Sequence, residues 1–338
     1  MMDRRNFIQA SALIAGSFYI TKDLFAKDNG AVYGHNNMRY RMDNKWGNLD
    51  PSKHPVKDCH EMVQDKKGRI ILLTNETKNN ILIYNKSGKL LNSWGHEFPG
   101  AHGLTLAHDH LYITDTDKHQ VFKTTLDGKI LMTINFPEES GVYKEAKAFV
   151  PTETTVTDDG DFYIADGYGS QYILHYNAEG KLQNFFGGKG KEDKNLDNAH
   201  GITIDKRNGT PTLLVTDRTR NCFKRFSMAG ELMEIIPLPG ACVCRPVIKG
   251  DHLYAAVLRS PDLSKANTGF VTILDKNNKV VSNIGGTAPE YKDDKLQPML
   301  QAEPIFANPH DVCVDDEENI YVAQWASGKV YPYKFKRV

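Results

Sequence analysis

Hydrophobic and polar residues alternate in short runs along most of this chain. His110-Leu111-Tyr112-Ile113-Thr114-Asp115 is one such run, and Glu318-Asn319-Ile320-Tyr321-Val322-Ala323 is another. A period of two puts successive side chains on opposite faces of a β-strand. The same grammar recurs in Lys67 to Thr74, Asp159 to Asp166 and Thr212 to Asp217. Downstream of these runs come turn sequences, each holding a glycine: Asn85-Lys86-Ser87-Gly88-Lys89, Leu126-Asp127-Gly128-Lys129, Asn177-Ala178-Glu179-Gly180-Lys181 and Ser227-Met228-Ala229-Gly230-Glu231. Glycine supplies the positive φ that tight hairpin turns require. The pattern predicts an all-β protein of short antiparallel strands.

A longer repeat lies over this alternation. Four units open on a histidine: Cys59-His60-Glu61-Met62-Val63, Ala101-His102-Gly103-Leu104, Ala199-His200-Gly201-Ile202 and Pro309-His310-Asp311-Val312. Two further units, at Val150-Pro151-Thr152-Glu153 and Cys244-Arg245-Pro246-Val247, lack it. Six units spaced by about 40–65 residues match the four-stranded blades of a propeller. The fold class expected is therefore a six-bladed β-propeller over residues 55–338. The segment 27–54 precedes it, and the last repeat ends after only three strands. Residues 39–47, ending in Trp46-Gly47, resemble the outermost strand of a blade. They are predicted to join the C-terminal blade, which closes the ring and removes a sheet edge.

The chain has 338 residues and equal numbers of basic and acidic side chains, 42 each. Zero net charge gives no electrostatic reason to expect nucleic acid or an anionic membrane as partner. Near the start, Arg4-Arg5-Asn6-Phe7-Ile8 is followed by an apolar run from Ala10 to Ile20 and then Leu24-Phe25-Ala26. Residues 1–26 read as a twin-arginine export signal, which predicts a periplasmic or extracellular protein without a stable membrane anchor after cleavage. The five cysteines form no Cys-x-x-Cys pair and read as small buried apolar side chains. A monomer is expected, acting on a small-molecule or peptide-like substrate.

Equivalent positions of a circular repeat converge on its axis, so His60, His102, His200 and His310 should face one another there. Three or four neutral imidazoles suit zinc, iron or copper, and three leave a position open for water or substrate. Asp311 offers an oxygen ligand or an acceptor that orients an imidazole. Glu153 and Arg245, at the axial ends of the two units without histidine, are candidate substrate-binding groups.

The order His102-Gly103-Leu104, Asp166-Gly167-Tyr168, His200, Asp217-Arg218 and His310-Asp311 resembles peptidyl-α-hydroxyglycine α-amidating lyase. The resemblance runs over about residues 55–338, and its single-blade motifs are shared with the wider NHL-repeat propellers. It implies a catalytic zinc on His102, His200 and His310, with iron as the alternative metal. It implies Tyr168 as a base, and Arg218 as the residue that holds the substrate's carboxyl end or stabilises developing charge. It also implies a structural calcium on the axis, bound by Asp311 and the carbonyl of Leu104. His60 is extra to the implied trio, as a fourth ligand or a substrate contact.

Two other readings compete with a metal-dependent lyase. One is a metal-dependent hydrolase or isomerase acting on a sugar or lactone. The other is a non-catalytic NHL binding propeller. An insertion from Glu290 to Pro304 is expected to cap one end of the tunnel.

Overall fold

A computed structural model describes residues 30–338, so the segment read as an export signal lies outside the described residues. Six antiparallel sheets are arranged as the blades of a ring. Blade one holds Cys59–Gln64, Ile70–Thr74, Ile81–Tyr84 and Leu90–Trp94, in order from the axis outward. Blade two holds Ala101–Ala107, His110–Asp115, Gln120–Thr125 and Ile130–Ile134. Blades three and four begin at Glu153–Val156 and Ile202–Asp205, and end at Leu182–Gly187 and Leu232–Pro237. In blade five the innermost strand is split into Cys242–Val243 and Val247–Lys249, both paired to His252–Arg259. The break falls at Arg245. Among the described residues, helix amounts to two single 3₁₀ turns, and no helix is long and apolar enough to cross a membrane.

Blade six is assembled from both ends of the described chain. Pro309–Val314, Ile320–Gln324 and Tyr333–Arg337 supply its inner three strands. Met38–Asp43 pairs antiparallel with Tyr333–Arg337, and Val32–His35 adds a fifth strand at the edge. The four outer-turn glycines, Gly88, Gly128, Gly180 and Gly230, all have φ between +82° and +96°.

The alternation of the strands puts apolar faces between blades, so the core is six clusters, one at each blade-to-blade contact. Cys59, Met62, Ile70 and Leu72 of blade one meet Cys313, Tyr321 and Ala323 of blade six around Trp46. Ile164 and Phe162 of blade three meet Tyr112 and Val121 of blade two. Between blades five and six, Tyr254 and Ile273 pack with Val312, Phe335, Tyr40 and Met42. Burying one large aliphatic or aromatic side chain contributes about 1.5–3 kcal/mol, so a ring of six such clusters needs no core on the axis. The axis is free for polar groups.

All five cysteines are buried and unpaired. The insertion before blade six does not cap the tunnel as expected. Its hairpin, Tyr291–Lys292 with Lys295–Leu296, lies against the outer strands of blades four and five. The Tyr291 hydroxyl accepts the Val280 N–H at 2.7 Å there, and Met299 packs beside Leu238 and Ala241.

Candidate metal centre on the propeller axis

The innermost strands of blades one, two and six each carry a β-bulge at the histidine. The register shifts between Cys59 and Glu61, between Ala101 and Leu104, and between Pro309 and Asp311. A bulge inserts an extra residue and re-aims a side chain. Here it lets two successive residues of one strand, His60 and Glu61 or His310 and Asp311, both reach the axis. His200 stands just ahead of its strand, which begins at Ile202.

The four imidazoles come together and are all buried. His60 lies 5.0 Å from His102 and 4.9 Å from His310, ring centre to ring centre. His102 lies 4.8 Å from both His200 and His310, and His200 lies 4.7 Å from His310. Burial is the main force on their protonation. It brings His60 down to about 3 and holds His102, His200 and His310 well below the ordinary histidine value. All four are therefore neutral at pH 7, the form that ligates a metal.

Their tautomers follow from the hydrogen bonds. His102 Nδ1 lies 2.9 Å from the Thr152 carbonyl, and His310 Nδ1 lies 3.1 Å from the His60 carbonyl. A carbonyl only accepts, so Nδ1 carries the proton in both rings, leaving each Nε2 with a free lone pair. Tyr168 Oη, 3.2 Å from His102 Nε2, then donates to it.

Do these groups fit a transition metal? Ligand atoms of His60, His102 and His310 lie within 4.8 Å of one another and can hold an ion. His200 Nε2 lies 3.1 Å from His310 Nε2. Two nitrogens on one tetrahedral zinc, with bonds of about 2.0–2.1 Å, stand about 3.3 Å apart. His60 Nδ1 and His200 Nδ1 are buried without a hydrogen-bond partner among the described residues. An all-imidazole set with unspent nitrogens fits zinc or iron. The trio drawn by geometry contains His60 where the resemblance implied His200; His102 and His310 are common to both.

Tyr168 and Arg218 stand beside the histidines. Tyr168 sits between the second and third strands of blade three, its ring 5.0 Å from His102 and 5.6 Å from His200. The side chain of Asp166 organises this loop by accepting the N–H groups of Val150 and Ser170, each at 2.6 Å, and the Tyr143 hydroxyl at 2.7 Å. Residue 169 must be glycine, because a Cβ there would meet Asp166 Oδ1 at 2.1 Å and the Ala148 carbonyl at 2.4 Å. Tyr168 is 43 % exposed, yet its hydroxyl end rests on the buried groups below. Burial of that end pushes the phenol up from its ordinary value, and Arg218 works against this. The Arg218 guanidinium is buried, with Nη1 3.5 Å from Tyr168 Oη. Its Nε donates to the Val243 carbonyl at 3.2 Å, and Nη2 to Cys244 Sγ at 3.1 Å. These groups face a cavity of ≈ 390 Å³ at one mouth of the tunnel, lined also by Lys57, Asn75, Asp117 and Trp325. The sequence gave no signal for those four, which lie in loops brought together only by closure of the ring.

Arg245 and Glu153, expected to bind substrate, do not line that cavity. They belong to a second layer, one residue deeper along the bulged strands. Arg245 donates to Asp311 from Nε at 3.1 Å and from Nη2 at 2.8 Å, to the Leu104 carbonyl from Nη1 at 3.0 Å, and to the Met62 carbonyl from Nη2 at 3.1 Å. Glu61 and Glu153, both fully buried, approach the same guanidinium at 3.5 and 3.6 Å. Glu153 Oε1 also accepts the Thr154 N–H at 2.8 Å, and Glu61 Oε2 accepts the Leu104 N–H at 2.6 Å. Burial raises Glu61 well above the ordinary carboxyl value and brings Asp311 to about 6, with Arg245 opposing both. The calcium implied for Asp311 and the Leu104 carbonyl does not fit, because Arg245 already holds both. Glu61 was missed in the sequence; the signal was its place directly after a histidine, as Asp311 follows His310.

No protein-family model matches the chain. Curated relatives do. Peptidyl-α-hydroxyglycine α-amidating lyase 1 of Drosophila melanogaster is 28% identical over 273 residues, covering 73% of this chain and 47% of the relative. This chain resembles the amidating lyases. A second lyase of that fly is 41% identical over 102 residues, covering 29% of this chain and 24% of the relative. Human NHL repeat-containing protein 3 is 26% identical over 136 residues, 37% of this chain and 39% of the relative. The chain thus spans about half or less of the length of the curated relatives it matches. Among solved structures, a streptogramin B lyase aligns with a TM-score of 0.59 at 15% identity, covering 88% of this chain and 97% of that one. A gluconolactonase of Xanthomonas campestris aligns at 0.61 and 9% identity, covering 92% and 98%. These two likenesses are of fold alone.

Proposed function

We propose that this protein is a metal-dependent lyase of the amidating-lyase type, splitting the C–N bond of a small N-acyl hemiaminal. The observation that carries this reading is the set of four buried, neutral imidazoles converging beside Tyr168 and Arg218. His102 and His310 would hold the ion, with His60 and His200 on either side of them. When bound, zinc or iron supplies Lewis-acid polarisation of the hemiaminal oxygen.

The protein's own groups handle the proton. Arg218, whose charge lies against Tyr168 Oη, favours the phenolate. Tyr168 in that form takes the proton of the substrate hydroxyl. The O–H electron pair becomes the second C–O bond, the C–N bond breaks, and the departing amide nitrogen takes the proton back from Tyr168. The products are an amide and an aldehyde, with no net change in proton count or oxidation state. Arg218 also suits a carboxylate on the aldehyde fragment, since a guanidinium binds carboxylate through paired hydrogen bonds. Asp117 and Lys57 at the rim offer one charge of each sign to the acyl side. Residues 1–26 support export as the setting for this chemistry.

The test has two parts. Protein purified without added metal should carry about one zinc or iron per chain by mass spectrometry, lost in a His102→Ala, His200→Ala double variant. A peptidyl-α-hydroxyglycine should then release glyoxylate, followed by a coupled dehydrogenase. Protein that binds no transition metal even after reconstitution would sink the lyase reading in favour of a binding propeller.

A further inference from the structure

We infer that Arg245 is a built-in axial cation: its guanidinium fills a calcium-type oxygen cage, making the ring independent of calcium and closing the tunnel below the histidines. The inference does not rest on the lyase reading. It rests on six oxygens drawn from four blades. Asp311 Oδ1 and Oδ2 lie at 3.1 and 2.8 Å from guanidinium nitrogens, and the Leu104 and Met62 carbonyls at 3.0 and 3.1 Å. Glu61 Oε2 and Glu153 Oε2 stand at 3.5 and 3.6 Å. Glu61 and Met62 come from blade one, Leu104 from blade two, Glu153 from blade three and Asp311 from blade six; Arg245 itself comes from blade five.

Carboxylate and carbonyl oxygens in that number are what a hard divalent cation takes, at about 2.3–2.6 Å each. A guanidinium meets the same oxygens at hydrogen-bond distance with donors fixed in a planar fork. All three of its nitrogens are engaged here. The break in the innermost strand of blade five, between Val243 and Val247, is where the chain turns Arg245 onto the axis. A tethered cation cannot be lost by dilution or chelation. It also separates two cavities. The one of ≈ 390 Å³ contains His60, His102 and Tyr168; the other, of ≈ 310 Å³, lies at the opposite mouth, with Arg245 and Thr154 in its wall. Substrate therefore enters and leaves by the histidine mouth.

The experiment uses the full exported chain with calcium ions as the probe. Wild-type protein dialysed against millimolar calcium should retain less than about a tenth of a calcium per chain by mass spectrometry, and its Tm should not move between calcium and chelator. Zinc and iron are followed in the same spectrum, so loss of the histidine-bound metal is not mistaken for a calcium effect. Arg245→Ala removes the guanidinium and leaves the cage. It should bind one calcium and rise in Tm by roughly 5 °C when calcium is near a hundred times its Kd. A variant that refolds only with calcium present supports the inference equally. Wild-type protein that holds a full equivalent of calcium, and loses Tm on chelation, overturns it. A folded Arg245→Ala protein indifferent to calcium overturns it as well. If the variant folds under neither condition, the wild-type measurement alone decides.

Discussion

Two polar layers sit one residue apart on the same axis, and they are built on opposite principles. The upper layer is His60, His102, His200 and His310: like groups, all neutral, with buried ring nitrogens left without partners. The lower layer is Arg245 with Asp311, Glu61 and Glu153: unlike groups, with every guanidinium nitrogen engaged. The same bulged strands feed both, since His60 precedes Glu61 and His310 precedes Asp311. A layer of unspent donor atoms is poised for a ligand from solution. A layer that satisfies itself is poised for none. The difference separates candidate chemistry from architecture where sequence position alone would pool them.

The comparison breaks most sharply at Arg245. Arg245→Met keeps much of the side-chain volume and deletes the charge, leaving three buried carboxylates without their cation. Breaking a buried ion cluster in this way costs about 3–5 kcal/mol, and urea unfolding should show the loss in full. Tyr168→Phe acts on the upper layer and should do the reverse. Removing a proton-transferring group lowers kcat/KM by about 10²–10⁴-fold, while unfolding shifts by less than about 0.5 kcal/mol at a side chain 43 % exposed. If Tyr168→Phe unfolds the protein and Arg245→Met does not, the assignment of roles to the layers is reversed.

A smaller effect decides which three histidines hold the ion. Geometry joins His60 to His102 and His310, whereas the family resemblance implies His200. His60→Ala and His200→Ala should differ in zinc affinity by at least about tenfold, measured by competition with a chelating dye. The weaker variant names the third ligand.

Much of this was legible in the sequence, for identifiable reasons. Period-two alternation and a repeat closing on glycine turns are local signals, and they carry the six blades. Histidines at equivalent repeat positions carry the upper layer, because rotational symmetry turns sequence equivalence into spatial convergence. The lower layer is a non-local object. Arg245 reaches groups of four other blades, and no window of sequence contains them together. The bulges were hidden too, since His60-Glu61-Met62 reads as ordinary alternation with Glu61 pointing away from the axis. The insertion at 290–304 carries no periodicity to say which face it would cover; the Tyr291 hydroxyl and buried Met299 anchor it to the rim.

The finest distinction between the layers is whether the lower one is over-supplied with acid. Three carboxyls face one guanidinium, and burial holds Glu61 well above the ordinary carboxyl value. Glu61 Oε2 accepts the Leu104 N–H at 2.6 Å, and Glu61 Oε1 accepts nothing among the described residues. An amide in its place keeps an oxygen for Leu104 and brings a donor toward Glu153, without adding charge. Glu61→Gln should therefore change stability by less than about 1 kcal/mol at pH 7. Asp311→Asn removes the carboxylate closest to the guanidinium and should cost more, about 3 kcal/mol. Equal losses for the two in urea unfolding would mean that Glu61 is ionised and fully paired, and that the lower layer balances its charges in some other way.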